Sequence, residues 1–427
     1  MRSLRLFGSV ALLALASPAW PQASVPLPSA NTRSQTAAAD LAKRIVAEGK
    51  VPGVVMVTGV GNAPIQTIAE GRIAYEPVAA RADADSLWRV YSMTKPITGI
   101  AAMILVEEGK LKLDQPISDF IPAFKDMKVL VDPAKDLTSR PAVRPITVRN
   151  LLTHTAGLGY TIITKGPLLD EYNRLGINPA QVNALMEPGM RSARAPSLEE
   201  FANRVAGLPL IADPGAKWSY SIGLDVLGRV IEVAGGMPFD QFVNTRIFTP
   251  LKMQASYWTV PQDKAGIFAT NYMAPKLAAD PGATSVWLQP PSFPYGGAGL
   301  VMSARDYDRF LHMLLNGGEL DGARILKPET VRLAMSDLLP ASVDRSTLAQ
   351  MTADSGAPMG FGAGGSVYLA DKPGGPGKGT FGWAGAAGSI GWVDPVQKLR
   401  ATVMINSFAE QGFKREASQA IYTDLAK

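Results

Sequence analysis

Ser92-Met93-Thr94-Lys95 places a hydroxyl and an amine three residues apart. At the start of a helix that spacing stacks both groups on one face. A serine hydroxyl is a poor nucleophile until a neighbouring base takes its proton. A lysine can serve when burial or a second cation disfavours the ammonium form. The helix N-terminus also offers N–H groups and a positive dipole end to a developing oxyanion. The chemistry this pair fits is acyl transfer through a serine ester. A bare Ser-x-x-Lys equally fits a helix cap followed by a solvated lysine. At ordinary residue usage about one such spacing is expected by chance in a chain of this size. Ser92/Lys95 is the one present.

Other chemistries are pruned by what the chain lacks. There are two histidines, His154 and His312, and no cysteine. That excludes a disulfide, a thiol nucleophile, a thiolate metal site and a metal site of several histidines. A Ser-His-Asp triad would have to use one of the two histidines. Gly-x-Ser-x-Gly, the nucleophile elbow of α/β-hydrolases, does not occur. Gly374-Gly-Pro-Gly-Lys-Gly379 is glycine-rich but lacks phosphate-loop spacing, so it reads as a hairpin tip.

Elements must hold the pair in place, and the pattern supplies them. Residues 37–48 have helical spacing, and 54–60 and 65–70 read as strands joined by Gly61-Asn62. Residues 87–91 look like a short strand leading into Ser92. From Ser92 to about Glu108 the pattern is helical, with Ile97, Ile100, Ile104 and Leu105 on one side and Gly109 as a stop. Pro96 falls in the first turn, where its missing N–H costs least. Residues 116–145 and 275–294 read as loops, and 225–234 and 240–246 as helices. Ser303-Ala-Arg-Asp306 looks like a variant capping box opening a helix to Leu315. Strand character returns in 360–369, 379–383, 388–393 and 399–406, before a closing helix at 415–425. Strands at both ends with helices between predict a mixed α+β fold. An antiparallel sheet would be flanked by the terminal helices, with a helical domain inserted. The predicted domains are 24–120 with 290–427, and 121–289.

The 427 residues are 47% apolar and 19% charged, a core-forming composition. Arg2 and Arg5, the apolar run 6–16 and Ser17-Pro18-Ala19 read as a signal peptide over residues 1–23. Its removal lowers the formal charge from +5 to +3. The remaining charges are dispersed, so no nucleic-acid partner is expected. No other run suggests a membrane anchor. An exported, periplasmic location is the expectation.

Val90-Tyr-Ser92-Met-Thr-Lys95-Pro-Ile-Thr-Gly, followed by Glu107-Glu-Gly-Lys-Leu-Lys-Leu-Asp114, resembles the serine β-lactamase and penicillin-binding protein superfamily. The nearest branch is the class C β-lactamase-like family VIII carboxylesterases. Further matches follow in order. Thr147-Val-Arg-Asn-Leu-Leu-Thr-His154-Thr-Ala-Gly157-Leu resembles a structural segment, and Pro214-Gly-Ala-Lys-Trp-Ser-Tyr220-Ser-Ile-Gly223 resembles the second motif. Gly296-Gly-Ala-Gly-Leu-Val-Met-Ser303 resembles the segment before a later helix, and Trp383-Ala384-Gly385 resembles the third motif in its esterase form. The likeness spans roughly residues 37–425.

The resemblance implies that Ser92 is the acylated nucleophile, Lys95 its general base or proton relay, and Tyr220 the acid/base partner of both. It implies an oxyanion hole from the N–H groups of Ser92 and Ala386, with Trp383 and Gly385 beside the substrate. No metal and no cofactor are implied. His154 would then be structural rather than a triad base, and His312 structural or exposed. Trp218 and Trp383 could line an acyl pocket, and Trp218 equally fits the core.

Two departures bear on substrate. Class C β-lactamases carry Tyr-x-Asn at the second motif, where this chain has Tyr220-Ser221-Ile222. They carry Lys-Thr-Gly at the third, where this chain has Trp383-Ala384-Gly385. An indole in place of that lysine removes a cation and adds a flat apolar wall. The pattern implies hydrolysis of short-chain esters, with weak β-lactam hydrolysis as a side activity of shared machinery. A class C-type β-lactamase or D-Ala-D-Ala peptidase, and a non-turnover penicillin-binding sensor or scaffold, are the alternatives.

Overall fold

A computed structural model describes residues 35–184 and 186–427. The signal peptide read at 1–23 lies outside the described residues. Seven strands form one antiparallel sheet. In spatial order they are Met359–Phe361, Ser366–Tyr368, Phe381–Ala384, Ile390–Asp394, Leu399–Met404, Gly53–Val60 and Gln66–Gly71. The sheet is thus built from both ends of the chain, as the strand pattern predicts.

Gly53–Val60 is buried along nearly its whole length, because both of its faces are covered. Val54 and Met56 face a core layer made by the first helix, Thr36–Ala47, and the closing helix, Phe413–Leu425. Val55 and Val57 face the opposite layer, which includes the helix Ala304–Leu315. This is the two-residue alternation of a strand realised on both sides. The edge strand Gln66–Gly71 is half-exposed, as an edge should be.

The helix after Ser92 departs from the one-sided reading. Thr94–Glu107 is buried all round from Thr94 to Leu105. Small residues allow this. A Cβ at Gly99 would lie 2.1 Å from the Ala363 carbonyl oxygen, so only glycine admits that approach. Helix Gly223–Gly235 packs on another side. The stop is as predicted. Gly109 is left-handed at φ 72°, and the Lys110 N–H reaches back to the Leu105 carbonyl.

Four local expectations are corrected. The lead-in strand, Leu87–Arg89, joins a separate three-stranded sheet with Val301–Ser303 and Ser256–Tyr257. Residues 271–280 form a hairpin rather than loop, with strands Asn271–Ala274 and Leu277–Asp280. Its Asp280 is fully buried against Arg89, which also donates to the Ala269 carbonyl and Ser285 Oγ. A buried charge needs such partners, and no local pattern announces one nearly two hundred residues away. The region read as loop at 116–145 also contains a small hairpin, Lys128–Leu130 with Ser139–Pro141. Ser303 does cap its helix by accepting the Asp306 N–H, but Asp306 does not complete a box. Its carboxylate instead accepts the Ala255 N–H and the Ser256 hydroxyl.

Among the described residues, no helix is long and apolar enough to cross a membrane.

Candidate active site

Ser92 sits on a bend forced by its neighbour. Tyr91 is left-handed at φ 43°, a conformation that strains a bulky side chain. Packing overrides the strain. The Tyr91 ring lies edge-on to Trp287 at 6.0 Å, and its hydroxyl accepts from Asn271 at 2.7 Å. A single 3-10 turn, Tyr91–Met93, then leads directly into helix Thr94–Glu107. Ser92 therefore lies at a helix N-terminus, on the edge of a cavity.

Lys95 is fully buried one turn later. Its Nζ is 3.1 Å from Ser92 Oγ and donates to the Gly297 carbonyl at 2.7 Å. Tyr220 Oη is 2.7 Å from the same Ser92 oxygen. The Trp383 indole N–H donates to Tyr220 Oη at 3.2 Å. Lys95 Nζ also lies 4.7 Å from the Tyr220 ring centroid. The hydroxyl is thus within reach of an amine and a phenol at once. In its deprotonated form, as amine or phenolate, either group can receive that proton, and the two together can pass it on.

Trp383, Ala384, Gly385 and Ala386 line the same cavity. Gly385 has little room. A Cβ there would lie 2.6 Å from the Val90 carbonyl oxygen and 2.4 Å from Ser389 Oγ. Its absence lets this strand end close on the segment before Ser92. Ala386 has no partner for its N–H among the described residues, and its carbonyl accepts from the Gln411 side chain at 2.6 Å. The cavity encloses about 490 Å³, with Met351, Met359 and Tyr368 among its walls.

The six residues singled out in the sequence therefore come together: Ser92, Lys95, Tyr220, Trp383, Gly385 and Ala386. Trp218 does not join them. It is fully buried, stacked 6.3 Å from the Tyr220 ring, and packs as core. His312 lies elsewhere, with Nε2 3.0 Å from Asn62 Oδ1. Burial and then the nearby Arg400 push its pKa down to about 4. His154 is buried behind Tyr220 and bonds to Ser221, not to Ser92.

One charged neighbour escaped the sequence reading. Asp225 Oδ1 accepts the Gly297 N–H at 2.8 Å, directly behind the carbonyl that holds Lys95. Burial pushes its pKa up to about 6, against the opposing pull of Lys95 and the Gly297 N–H. The signal was a lone carboxylate on the apolar run Leu224-Asp-Val-Leu227, where helical periodicity leaves it no exposed face. Among the described residues no cluster could hold a metal ion.

The Beta-lactamase family model matches residues 38–424. Protein Rv1367c of Mycobacterium tuberculosis is 34% identical over 360 residues, covering 80% of this chain and 83% of the relative. Esterase EstB of Burkholderia gladioli is 30% identical over 356 residues, covering 76% and 79%. Among solved structures, the LovD6 mutant of simvastatin synthase from Aspergillus terreus superimposes with a TM-score of 0.73 at 26% identity, covering 91% of this chain and 94% of that one. The chain therefore belongs to the β-lactamase family, within the family VIII esterase branch that its motifs resemble.

Proposed function

We propose that this protein is a serine carboxylesterase that hydrolyses short-chain esters through an acyl-Ser92 intermediate. The observation that carries the reading is Ser92 Oγ held between Lys95 Nζ and Tyr220 Oη, in a cavity walled by Trp383 where a β-lactamase would present a lysine. Relationship to an esterase supports it.

In the first half-reaction Ser92 Oγ attacks the ester carbonyl while its proton passes to the Tyr220–Lys95 pair, which enters the step with one proton fewer than a phenol and an ammonium together hold. The carbonyl oxygen becomes an oxyanion facing the N–H groups of Ser92 and Ala386. The tetrahedral intermediate collapses, the alkoxide takes the proton back from the pair, and the alcohol leaves. A water then gives a proton to the same pair and attacks the acyl-serine; as that intermediate collapses the Ser92 oxygen leaves, takes the proton back from the pair, and the acid is released. Trp383 donates to Tyr220 Oη, so it favours whatever negative charge the phenol oxygen gains. At the Trp383 position an indole, and no lysine, faces the substrate, which suits one lacking a carboxylate there; Lys372, Lys414 and Arg415 line other parts of the same cavity. Weak β-lactam hydrolysis belongs to the same reading, since acylation uses the same groups. So does export, with 1–23 as its signal.

The test is turnover of p-nitrophenyl butyrate beside a chromogenic cephalosporin, with intact-protein mass spectrometry for a trapped acyl group. Ester turnover well above cephalosporin turnover is expected. Fast cephalosporin turnover with inert esters would replace the reading with a β-lactamase. A permanent stoichiometric adduct without turnover would make the protein a sensor or scaffold.

Gly385→Ala probes the oxyanion side. The added methyl cannot fit beside the Val90 carbonyl, so the strand end must retreat and carry the Ala386 N–H with it. Loss of one oxyanion donor costs about 100-fold or more in kcat. That loss is the expected result in p-nitrophenyl butyrate assays, with thermal melting used to confirm folding. Unchanged kcat in a folded variant would remove Ala386 from the oxyanion role.

A further inference from the structure

We infer that His154 is the positioning residue of Tyr220: it grips the backbone on both sides of the tyrosine and so fixes where the phenol meets Ser92. This rests on the proposed role of Tyr220. The local sequence builds the grip. Thr147 and Asn150 form a reciprocal capping box that opens the short helix Val148–Leu152. Immediately beyond it, His154 turns left-handed at φ 58°. That turn aims two acceptors of one residue at the same neighbouring segment. The His154 carbonyl accepts the Ser219 N–H at 2.9 Å, and its Nδ1 accepts the Ser221 N–H at 3.2 Å. The two amides flank Tyr220. The imidazole itself packs against the tyrosine, with ring centroids 4.7 Å apart.

The hydrogen-bond pattern also assigns the tautomer. A backbone N–H can only donate, so Nδ1 is an acceptor. Ser221 Oγ accepts the Gly223 N–H at 3.2 Å, which leaves its own proton free to point at Nδ1, 2.9 Å away. The ring proton therefore sits on Nε2, which is buried and has no hydrogen-bond partner among the described residues. Protonating Nδ1 would set two donors against each other. Burial, reinforced by the nearby Lys95, agrees by holding the ring neutral. A histidine whose acceptor is committed to the backbone and whose other nitrogen already carries hydrogen is not equipped as a base for Ser92. It is equipped as a rigid clamp.

Position matters because the phenol must reach Ser92 Oγ at 2.7 Å. Misplacement of about 1 Å costs on the order of 100-fold in rate. His154→Leu fills the space and removes the ring acceptor. Its kcat for p-nitrophenyl butyrate should fall about 100-fold, with KM within about two-fold, since the clamp acts on the reacting geometry and not on the cavity. His154→Asn should restore kcat to within about ten-fold of the parent, because an asparagine oxygen can accept at a similar position and asparagine tolerates the left-handed backbone. Circular dichroism and thermal melting establish that each variant is folded.

A folded His154→Leu variant with normal kcat overturns the inference. So does a folded His154→Asn variant as slow as His154→Leu, because the imidazole itself would then be required. If His154→Leu does not fold, His154→Asn decides: kcat within about ten-fold of the parent supports the clamp, and a folded variant about 100-fold slower overturns it. Tyr220→Phe separates this inference from the reading beneath it. If that variant is fully active, the role of Tyr220 has failed. If it is inactive while His154→Leu is active, only the clamp has failed.

Discussion

Ser92→Ala should reduce ester turnover by about 10,000-fold or more, the scale seen when an acyl-enzyme nucleophile is removed. The fold should survive. Ser92 loses one oxygen, and both of its partners keep another contact. Lys95 retains the Gly297 carbonyl, and Tyr220 retains the Trp383 N–H. The stability change is therefore that of a single hydrogen-bonding group, on the order of 1 kcal/mol. Two measurements check the result together. One is kcat/KM for p-nitrophenyl butyrate against thermal melting. The other is intact-protein mass after treatment with a fluorophosphonate, which should add one adduct to the parent and none to the variant. Residual activity above about a hundredth of the parent in a clean preparation would place the nucleophile elsewhere, because the groups left behind support far less.

Tyr220→Phe should lower kcat about 1,000-fold while leaving KM nearly unchanged, within the range for loss of a general acid/base group. The ring and its packing against His154, Tyr160 and Trp383 remain, so the cavity keeps its shape. What disappears is the oxygen that links Ser92 Oγ to the Trp383 N–H. Trp383 is then left with a largely buried, unanswered donor, which costs about 1–3 kcal/mol of stability. The combination is diagnostic: a slow enzyme with ordinary substrate affinity and a lowered melting temperature. Comparable loss from Lys95→Met with an active Tyr220→Phe would shift the whole proton traffic to the lysine.

How much of this could be read from the chain depends on distance along it. Ser92 and Lys95 share one helical turn, so spacing alone places them together. Tyr220 and Trp383 lie 128 and 163 residues from their hydrogen-bond partners Ser92 and Tyr220. No periodicity carries that information, and only the resemblance of their motifs to a known family brought them to the site. Asp225 had neither aid. It belongs to no motif quoted above, and its partner is a backbone N–H, which sequence cannot distinguish from any other. The sheet was legible because its strands alternate or run apolar. The sheet joined by Leu87–Arg89 was not legible for a related reason: three residues can satisfy either sheet, and the partner strand Val301–Ser303 lies far along the chain. The helix Thr94–Glu107 was drawn with an outer face because Thr, Lys and Gly interrupt its apolar run. In the folded protein the lysine is buried for its contacts with Ser92 and Gly297, and the glycine for closeness.

The strand order of the main sheet has a consequence for the time course of folding. Gly53–Val60 is flanked by Gln66–Gly71, its near neighbour in sequence, and by Leu399–Met404, from the other end of the chain. Asp424 extends the same tie by accepting the N–H groups of Ala37 and Ala38 at the start of the first helix. Gly53–Val60 therefore waits for a partner that follows it much later in the chain. Until then its far edge is an open row of unpaired backbone groups, which invites pairing with other chains. Contacts of such long sequence separation fold slowly, because a very large loop must close before they form. Removing residues 399–425 would therefore take away one strand of the sheet, the closing helix and, with Lys414, Arg415 and Ser418, part of the wall of the candidate site's cavity.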